Sequence, residues 1–253
     1  MKDLTIIIKT LLRPAELEAC IESIHKTCGT DIKIYVADDS PPKTINPRTD
    51  IDEYFILPYD SGASYGRNYM VDRVKTKYLM VIDDDTVFLP TTKKHIDNAL
   101  SILENHGNID LVGGREEGVA WYGSMKIENN ILMLDLGSST KAIDGYPLYD
   151  FVPQIYIART DKIASIQWDN ELKTAEHEDF FWRAKGKLNC IFLPHFIVIN
   201  SHALNKEYIK HRNRQYYTNL WHEKIGVKET HMRVNNKPLS LSEIWALSQN
   251  GIL

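Results

Sequence analysis

The segment that most constrains this chain is a short apolar run, residues 78–82, which leads without a break into three carboxylates. Its tyrosine, valine and isoleucine side chains favour a buried strand, and the run is too short for a helix. Asp83, Asp84 and Asp85 therefore follow the carboxyl end of that strand, where open α/β sheets bind ligands. Because adjacent carboxylates repel one another unless a cation is present, the segment predicts a divalent metal site.

Strands and helices are predicted to alternate over the first 110 residues. Continuous apolar, β-branched runs predict the strands, and apolar residues at helical spacing predict the helices. The predicted strands are residues 4–8, 33–37, 54–57 and 78–82, and the predicted helices follow Pro14, Gly62 and either Thr91 or Thr92. Alternation of this kind predicts a mostly parallel sheet with helices on both faces.

Beyond Asp110 the pattern changes to short strands joined by loops rich in glycine and aromatic residues. The predicted strands are residues 111–112, 126–134, 156–158 and 191–199, with a short helix at 179–186 and a basic, aromatic-rich helix at 205–225. We find no linker between the two parts, so we expect them to form one α/β domain.

Composition indicates which partners and which cellular compartment to expect. A formal net charge of -4 and a pI near 6.1 give no overall attraction to nucleic acid, so we expect no nucleic-acid partner. The three cysteines lack paired spacing, which indicates a reducing compartment. The chain has no 18-residue apolar stretch, and its first strand begins near Met1. We therefore expect a cytoplasmic protein.

Polar side chains follow three of the predicted parallel strands, and the carboxyl ends of parallel strands meet at one edge. A carboxylate after the second strand accepts hydrogen bonds from a base N–H or from ribose hydroxyls. Two carboxylates at alternate positions share one Mg²⁺ or Mn²⁺, which bridges diphosphate oxygens. The alternative is that these residues are turn residues and helix caps. The residues are Thr10 and Arg13, then Asp38 and Asp39, then Asp83, Asp84 and Asp85.

The ordered set of motifs resembles the inverting, GT-A-fold glycosyltransferases of family 2, and most closely the β-1,4-N-acetylgalactosaminyltransferase (ganglioside synthase) group. The resemblance extends from about residue 4 to residue 202 of this chain. The matching motifs are Ala37-Asp38-Asp39-Ser40, Gly66-Arg67-Asn68, Thr76-Lys77-Tyr78 leading into Asp83-Asp84-Asp85, Asp110-Leu111-Val112-Gly113-Gly114, Ala158-Arg159-Thr160-Asp161-Lys162, His177-Glu178-Asp179-Phe180-Phe181 and Ser201-His202.

The resemblance implies a GT-A, Rossmann-like fold: a mostly parallel sheet flanked by helices, with a small mixed half on the acceptor side. It divides the chain into a GT-A domain over residues 1–227 and a C-terminal tail over 228–253. Within the domain, the expected parts are a nucleotide-binding half at 1–110, an acceptor and catalytic half at 111–204, and the basic aromatic helix at 205–227.

The resemblance also implies a UDP-sugar donor and a bound Mn²⁺ or Mg²⁺. Arg67 either contacts the nucleotide or bridges to one of the aspartates. Without the resemblance, a lone histidine after an apolar strand is more often structural. The implied nucleotide site contains Thr10, Arg13, Asp38, Asp39, Arg67, Asp83 and Asp84, and the implied metal ligands are Asp83, Asp85 and His202.

The catalytic base is expected in the acidic segment Glu176-His177-Glu178-Asp179. Related transferases place an aspartate where this chain has His177, and that aspartate deprotonates the acceptor hydroxyl. His177 either acts as the base itself, since its ordinary pKa lies near neutrality, or yields this role to Glu178 or Asp179. The alternative is that Asp179 caps the following helix.

The expected reaction is the inverting transfer of a hexose or N-acetylhexosamine, with GalNAc as the first choice, to a hydroxyl of a glycan or lipid-linked oligosaccharide. A bacterial-type surface polysaccharide fits better than a ganglioside, since no membrane anchor is expected. The basic segment 205–225 either clamps the diphosphate, contacts the inner membrane face as a peripheral surface, or is a solvated helix face.

Two other functions use similar features. A nucleotidyltransferase also places carboxylates and a metal at a sheet edge, but it needs a glycine-rich basic loop after the first strand. Residues 9–14 contain no glycine. The other alternative is a module that binds sugar nucleotides or glycans without turnover, which a binding experiment followed by a donor hydrolysis assay distinguishes.

Overall fold

The computed structural model describes residues 2–118, 121–201, 205–234 and 237–239. Its strands are β1 (Leu4–Thr10), β2 (Lys33–Asp38), β3 (Glu53–Ile56), β4 (Tyr78–Asp83), β5 (Thr86–Val87), β6 (Leu111–Glu116), β7 (Gly123–Glu128), β8 (Ile131–Leu136), β9 (Lys141–Ile143), β10 (Tyr146–Tyr149), β11 (Tyr156–Arg159), β12 (Cys190–Asn200), β13 (Glu229–Val234) and β14 (Lys237–Leu239). Its α-helices are α1 (Pro14–Cys28), α2 (Ala63–Val71), α3 (Thr92–Asn105), α4 (Thr160–Ile166), α5 (Glu176–Ala184), α6 (Lys206–Lys210) and α7 (Arg214–Ile225).

The main sheet has the strand order β3-β2-β1-β4-β11-β6-β12-β10-β9, and β5 pairs with the far end of β12. Strands β3, β2, β1 and β4 are parallel, whereas β11 is antiparallel to both of its neighbours. Thr10 pairs with Asp38 of β2, and Lys9 pairs with Asp83 of β4. This register brings the carboxyl ends of β1, β2 and β4 to the same level at one edge.

Side chains of the central strands alternate between two hydrophobic clusters, one on each face of the sheet. Ile7 and Val81 pack in a cluster with α2, α4 and α5, whereas Ile8 and Ile82 pack in a cluster with α1 and α3. All four side chains are almost completely buried. Helices therefore cover both faces, which confirms the predicted α/β layering.

Residues 126–134, predicted as one strand, instead form a hairpin. Strands β7 and β8 are antiparallel, and Asn129 and Asn130 between them have φ angles of 53° and 61°. Two consecutive residues with positive φ match the right-handed twist of a two-residue hairpin, and asparagine tolerates this conformation. β13 pairs in parallel with β8, so residues 229–234, expected in a tail, belong to a second sheet made of β7, β8, β13 and β14.

The predicted helix 205–225 is two helices, α6 and α7. The Asn205 side chain accepts a hydrogen bond from the Glu207 N–H at 2.9 Å, and the Asn213 side chain accepts one from the Tyr216 N–H at 3.2 Å. Each asparagine therefore caps a helix of its own, and the second cap interrupts the continuous helix. No helix in the described part of the chain is both long and apolar enough to cross a membrane.

Candidate active site

Two adjoining pockets lie at the carboxyl ends of β1, β2 and β4, and Thr10 and Arg13 line both of them. The first has a volume of about 590 Å³ and reaches Asp38 and Tyr54. The second has a volume of about 450 Å³ and contains the acidic end of β4. The register of the parallel strands produces this convergence, because residues far apart in sequence end at one edge. We call the second pocket the acidic cleft.

The two aspartates at the end of β2, Asp38 and Asp39, have different surroundings. Asp38 faces the first pocket, where its carboxylate accepts hydrogen bonds from the Ser40 N–H at 2.8 Å and the Tyr54 hydroxyl at 2.6 Å. Asp39 is fully buried, forms an ion pair with Lys9 and accepts a hydrogen bond from the Gly62 N–H at 2.8 Å. Asp38 therefore lines the first pocket, whereas Asp39 holds β1 to the start of α2.

Asp84 lies under the cleft and is bonded to the segment that follows β1. Its carboxylate accepts a hydrogen bond from the Thr10 hydroxyl at 2.7 Å and pairs with Arg13 at 3.0 Å. Burial raises the pKa of Asp84 to about 7, while the charge of Arg13 opposes this rise. The Arg13 pair and the Thr10 hydrogen bond both favour the charged form, but with this pKa the Asp84 carboxyl is divided between its charged and neutral forms near pH 7.

Asp83 and Asp85 both line the acidic cleft. The Asp83 side chain is 39% exposed, whereas Asp85 pairs with Arg13 and accepts a hydrogen bond from the Asn200 amide at 3.1 Å. Burial, and then the charge of Asp83, raises the pKa of Asp85. Burial, followed by the charge of Asp83, raises the pKa of Glu116 in the same cleft to about 7. The cleft therefore concentrates carboxylates whose mutual repulsion a cation would relieve.

The donor chemistry of Asp83 and Asp85 fits a hard divalent ion. Mg²⁺ and similar ions are commonly held by one or two carboxylates, with water and substrate phosphates completing the shell. The described residues contain no group of three or more His, Cys, Asp or Glu side chains arranged to hold a metal on their own. His202, the third predicted ligand, lies outside the described residues.

Arg67 bridges to an aspartate, which is one of the two roles that the sequence leaves open. Its guanidinium lies 2.9 Å from Asp83 and 2.9 Å from Glu176, and the residue is 3% exposed. The bridge depends on the close approach of α2 to β1. A Cβ atom on Gly66 would collide with the Lys9 side chain. Glycine at this position therefore lets α2 bring Arg67 to the strand ends.

The first turn of α5 points its acidic residues in different directions. Glu176 lines the acidic cleft. Glu178 pairs with Arg214 at 2.9 Å. Asp179 is buried and pairs with Arg183 at 2.7 Å. Helix α5 begins at Glu176, three residues before the predicted start, so Asp179 lies inside the first turn rather than at the cap.

His177 points into the protein. Its imidazole is bonded to the Gln154 amide and packs edge-on against Phe181, with 5.0 Å between ring centroids. Burial lowers the pKa of His177, so the ring is neutral near pH 7. With the Gln154 amide turned to donate to this ring, its oxygen accepts a hydrogen bond from Arg67 at 3.1 Å. His177 is thus linked to Arg67 but does not line the acidic cleft.

The segment 205–214 forms one wall of the cleft. The Asn205 amide donates a hydrogen bond to the Leu12 carbonyl at 2.6 Å, which ties α6 to the end of β1. The Arg13 guanidinium lies over the Tyr208 ring, 4.7 Å from its centroid. His211, Arg212 and Arg214 also line the cleft. This arrangement places basic side chains opposite the carboxylates of β4.

Several lining residues are absent from the sequence-based predictions. Lys9 precedes Thr10 on β1, and its position one residue before a predicted ligand was a usable signal. Glu116 ends β6, and Asn200 ends β12, but short apolar runs do not locate strand ends accurately. Nothing in the sequence around Lys173 indicates a site. Glu176, Tyr208, His211 and Arg212 also line the cleft, and the sequence placed them only within the predicted segments 176–179 and 205–225, without individual roles.

Comparison with known proteins places the chain in a family. The model of glycosyl transferase family 2 matches residues 5–162. Beta-1,4 N-acetylgalactosaminyltransferase 2 from Mus musculus is 33% identical over 226 residues, which cover 82% of this chain and 43% of the mouse protein. This chain therefore spans less than half the length of that relative.

Solved structures share the fold. Residues 1–349 of S. aureus TarS, in complex with UDP-GlcNAc, superpose with a TM-score of 0.58 at 18% identity, over 81% of this chain and 60% of that one. The mannosyltransferase PcManGT from Pyrobaculum calidifontis, in complex with GDP-Man and Mn²⁺, gives a TM-score of 0.59 at 11% identity. The match covers 98% of this chain and 69% of that one. These likenesses confirm the expected GT-A α/β fold. Together with the family match, they show that this chain belongs to glycosyl transferase family 2.

Proposed function

We propose that this protein is a metal-dependent, inverting glycosyltransferase that moves a hexose or N-acetylhexosamine from a UDP-sugar to a glycan hydroxyl. The observation that carries the proposal is the convergence of Thr10, Arg13, Asp38 and the Asp83–Asp85 carboxylates at one sheet edge of a family 2 fold. GalNAc is our first choice of sugar, because a relative with 33% identity is named as an N-acetylgalactosaminyltransferase.

The uridine is proposed to occupy the first pocket. Asp38 would accept a hydrogen bond from the base or the ribose, and Tyr54 orients its carboxylate. Arg13 and Thr10 lie between the two pockets, where the diphosphate would pass. Asp39 and Asp84 support the nucleotide site by holding Lys9 and Arg13.

Asp83 and Asp85 would hold Mn²⁺ or Mg²⁺, with His202 as a further proposed ligand. When bound, such an ion offsets negative charge on the departing UDP. Arg212 lines the same cleft and would add positive charge from the protein itself.

The reaction would be a single displacement. The acceptor hydroxyl attacks the anomeric carbon and gives its proton to a carboxylate at the start of α5, while the bond from the anomeric carbon to the β-phosphate oxygen breaks. The electron pair of that bond leaves with UDP, and the anomeric configuration inverts. Arg67 pairs with both Asp83 and Glu176 and so fixes the positions of their carboxylates. The donor sugar would bind between these two fixed groups.

The acceptor is proposed to be a glycan or lipid-linked oligosaccharide, as in surface polysaccharide synthesis. Ile209 and Tyr216 are exposed on α6 and α7, close in sequence to Lys206, Lys210 and Arg214. Apolar side chains among basic ones suit the surface of an anionic membrane. This segment would then serve both as the wall of the cleft and as a peripheral contact to the membrane that carries the acceptor.

Calorimetry with UDP, with and without Mn²⁺, tests the donor site directly. We expect UDP to bind at least tenfold more tightly when Mn²⁺ is present. A panel of UDP-GalNAc, UDP-GlcNAc, UDP-Gal and UDP-Glc in a hydrolysis assay then identifies the sugar, and proton NMR of the transferred product reports its anomeric configuration. Absence of UDP binding with Mn²⁺, or a product with retained configuration, would overturn the proposal.

A further inference from the structure

We infer that Glu176 is the base that deprotonates the acceptor hydroxyl, an assignment that rests on the proposed function and makes it specific. Sequence reasoning favours His177, Glu178 or Asp179 for this role. The structure brings a different carboxylate of the same segment into the acidic cleft, because α5 begins at Glu176.

The position of Glu176 suits a base. Its side chain is 15% exposed and lines the cleft that also contains Asp83 and Asp85. Arg67 donates to its Oε1 atom at 2.9 Å, and no hydrogen bond from the described residues reaches Oε2. One oxygen is thus held in place while the other is free to accept a proton. Arg67 also contacts Asp83, so the base is connected to the carboxylate proposed to hold the metal.

The other three residues of the segment are held by different partners. Asp179 is 3% exposed and bonded to Arg183, whose guanidinium also donates to the Ile166 and Gln167 carbonyls at 2.8 Å each. This cluster fixes α5 to the end of α4. His177 packs edge-on against Phe181 and is bonded to the Gln154 amide, as described above.

Glu178 pairs with Arg214, whose side chain is 65% exposed at the outer edge of the cleft. None of these three side chains lines the acidic cleft, whereas Glu176 does. A base must come within hydrogen-bond reach of the hydroxyl that it deprotonates. Of the four polar residues in the segment, Glu176 is the one whose side chain lines the cleft in which we propose that the hydroxyl binds.

The proton balance of the step is simple. The acceptor O–H proton moves to Oε2 of Glu176, the oxygen bonds to the anomeric carbon, and the bond to the β-phosphate oxygen breaks with its electron pair retained by UDP. A nucleophile that is already an anion, such as azide, carries no proton and needs no base. Azide would therefore react with the donor when Glu176 is absent, and the product would be a glycosyl azide of inverted configuration.

The experiment compares Glu176→Gln and Glu176→Ala with Glu171→Gln, a matched change at an exposed glutamate that also pairs with a basic residue, Lys224. We expect transfer by both Glu176 variants to fall by about 10²–10⁴-fold. The dissociation constant for UDP with Mn²⁺ should stay within about threefold of wild type. Azide should restore donor turnover in Glu176→Ala, and Glu171→Gln should keep wild-type transfer.

Three results would overturn the assignment. The first is transfer by Glu176→Gln within tenfold of wild type. The second is failure of azide to restore turnover in Glu176→Ala while UDP binding is intact. The third is loss of transfer in Asp179→Asn or Glu178→Gln that azide restores instead. The proposed function fails separately, if the wild-type protein neither binds UDP with Mn²⁺ nor transfers sugar.

Discussion

The Arg13 guanidinium lies 3.0 Å from the Asp84 carboxylate, and both side chains are buried, although 70 residues of sequence lie between the two. This pair attaches the segment after β1 to the end of β4. Arg13 also pairs with Asp85, one of the two carboxylates that we propose to hold the metal. Arg13 and a divalent ion would therefore compete for Asp85.

Removing the Arg13 charge should destabilise the fold and strengthen the response to metal. Arg13→Met leaves Asp84 buried without its partner, so we expect a loss of about 3–5 kcal/mol in the free energy of unfolding. Urea denaturation with and without Mn²⁺ measures this, and Mn²⁺ should recover more stability in the variant than in wild type. Lys77→Met, which breaks a half-exposed pair with Glu104, should destabilise the fold much less, because solvent screens that pair. Equal losses in the two variants would contradict the prediction.

Asp85→Asn should remove the effect of metal on nucleotide binding. The amide has the same shape and still accepts a hydrogen bond from Asn200, but it binds a divalent ion poorly. We expect the Mn²⁺-dependent gain in UDP affinity to fall by at least about tenfold, equal to about 1.4 kcal/mol, in a calorimetric titration. Asp97→Asn, on the exposed face of α3, is the control. Unchanged metal dependence in Asp85→Asn would exclude this residue as a ligand.

Glu116 should make the fold less stable as the pH rises. Burial raises its pKa from 4.5 to about 7, so between these values the folded protein holds the proton more tightly than the unfolded chain. Stability from this group is complete below pH 4.5 and is lost as the pH rises through 7. We expect Glu116→Gln to remove about 1–2 kcal/mol of the difference in unfolding free energy between pH 5 and pH 8.

Chemical denaturation at both pH values measures this difference for wild type, for Glu116→Gln and for Glu117→Gln. Glu117 is the exposed neighbour of Glu116, so its amide variant should behave as wild type does. A pH response of Glu116→Gln that matches wild type would show that Glu116 does not titrate in this range.

Arg212→Gln should weaken binding of the diphosphate without weakening the fold. The Arg212 guanidinium lines the cleft, lies 5.5 Å from the centroid of the Tyr208 ring and forms no ion pair with the described residues. Loss of a charged contact to phosphate should raise the dissociation constant for UDP about tenfold, or about 1.4 kcal/mol. Lys210 lies on the same segment but pairs with Glu207 in solvent, so Lys210→Gln should leave the dissociation constant for UDP unchanged. The two variants should have equal melting temperatures.

Gly114→Ala should destabilise the sheet beside the site. A Cβ atom at Gly114 would lie 2.7 Å from the Phe196 carbonyl oxygen and 2.8 Å from its Cγ atom, so β12 must move away. Overpacking of this kind costs about 1–3 kcal/mol. Gly107→Ala is the matched control, because a Cβ there meets no atom within 4 Å. Guanidinium denaturation of both variants tests the prediction, and equal stabilities would refute it.

Features that depend on neighbouring residues in sequence could be predicted. The apolar runs of β1, β2 and β4 form strands because their β-branched and aromatic side chains suit a buried sheet. The helix predicted to begin at Pro14 is α1, and Gly29 follows its last residue. The acidic residues after β2 and β4 were placed at the correct sheet edge by the parallel order alone. The hairpin at Asn129 and the break at Asn213 depended on turn and cap chemistry that the apolar pattern does not reveal.

The amino-acid sequence by itself determined the alternating α/β pattern and the presence of carboxylates at the strand ends, because both follow from local side-chain preferences. The tertiary structure decided which carboxylates line a pocket. Asp38 lines the first pocket whereas Asp39 is held by Lys9, and in α5 Glu176 lines the cleft whereas Asp179 is held by Arg183. These outcomes depend on partners 23 and 30 residues away for Asp39, and for Glu176 on the start of α5 and the burial of Phe180 in the core. Spacing along the chain does not contain that information.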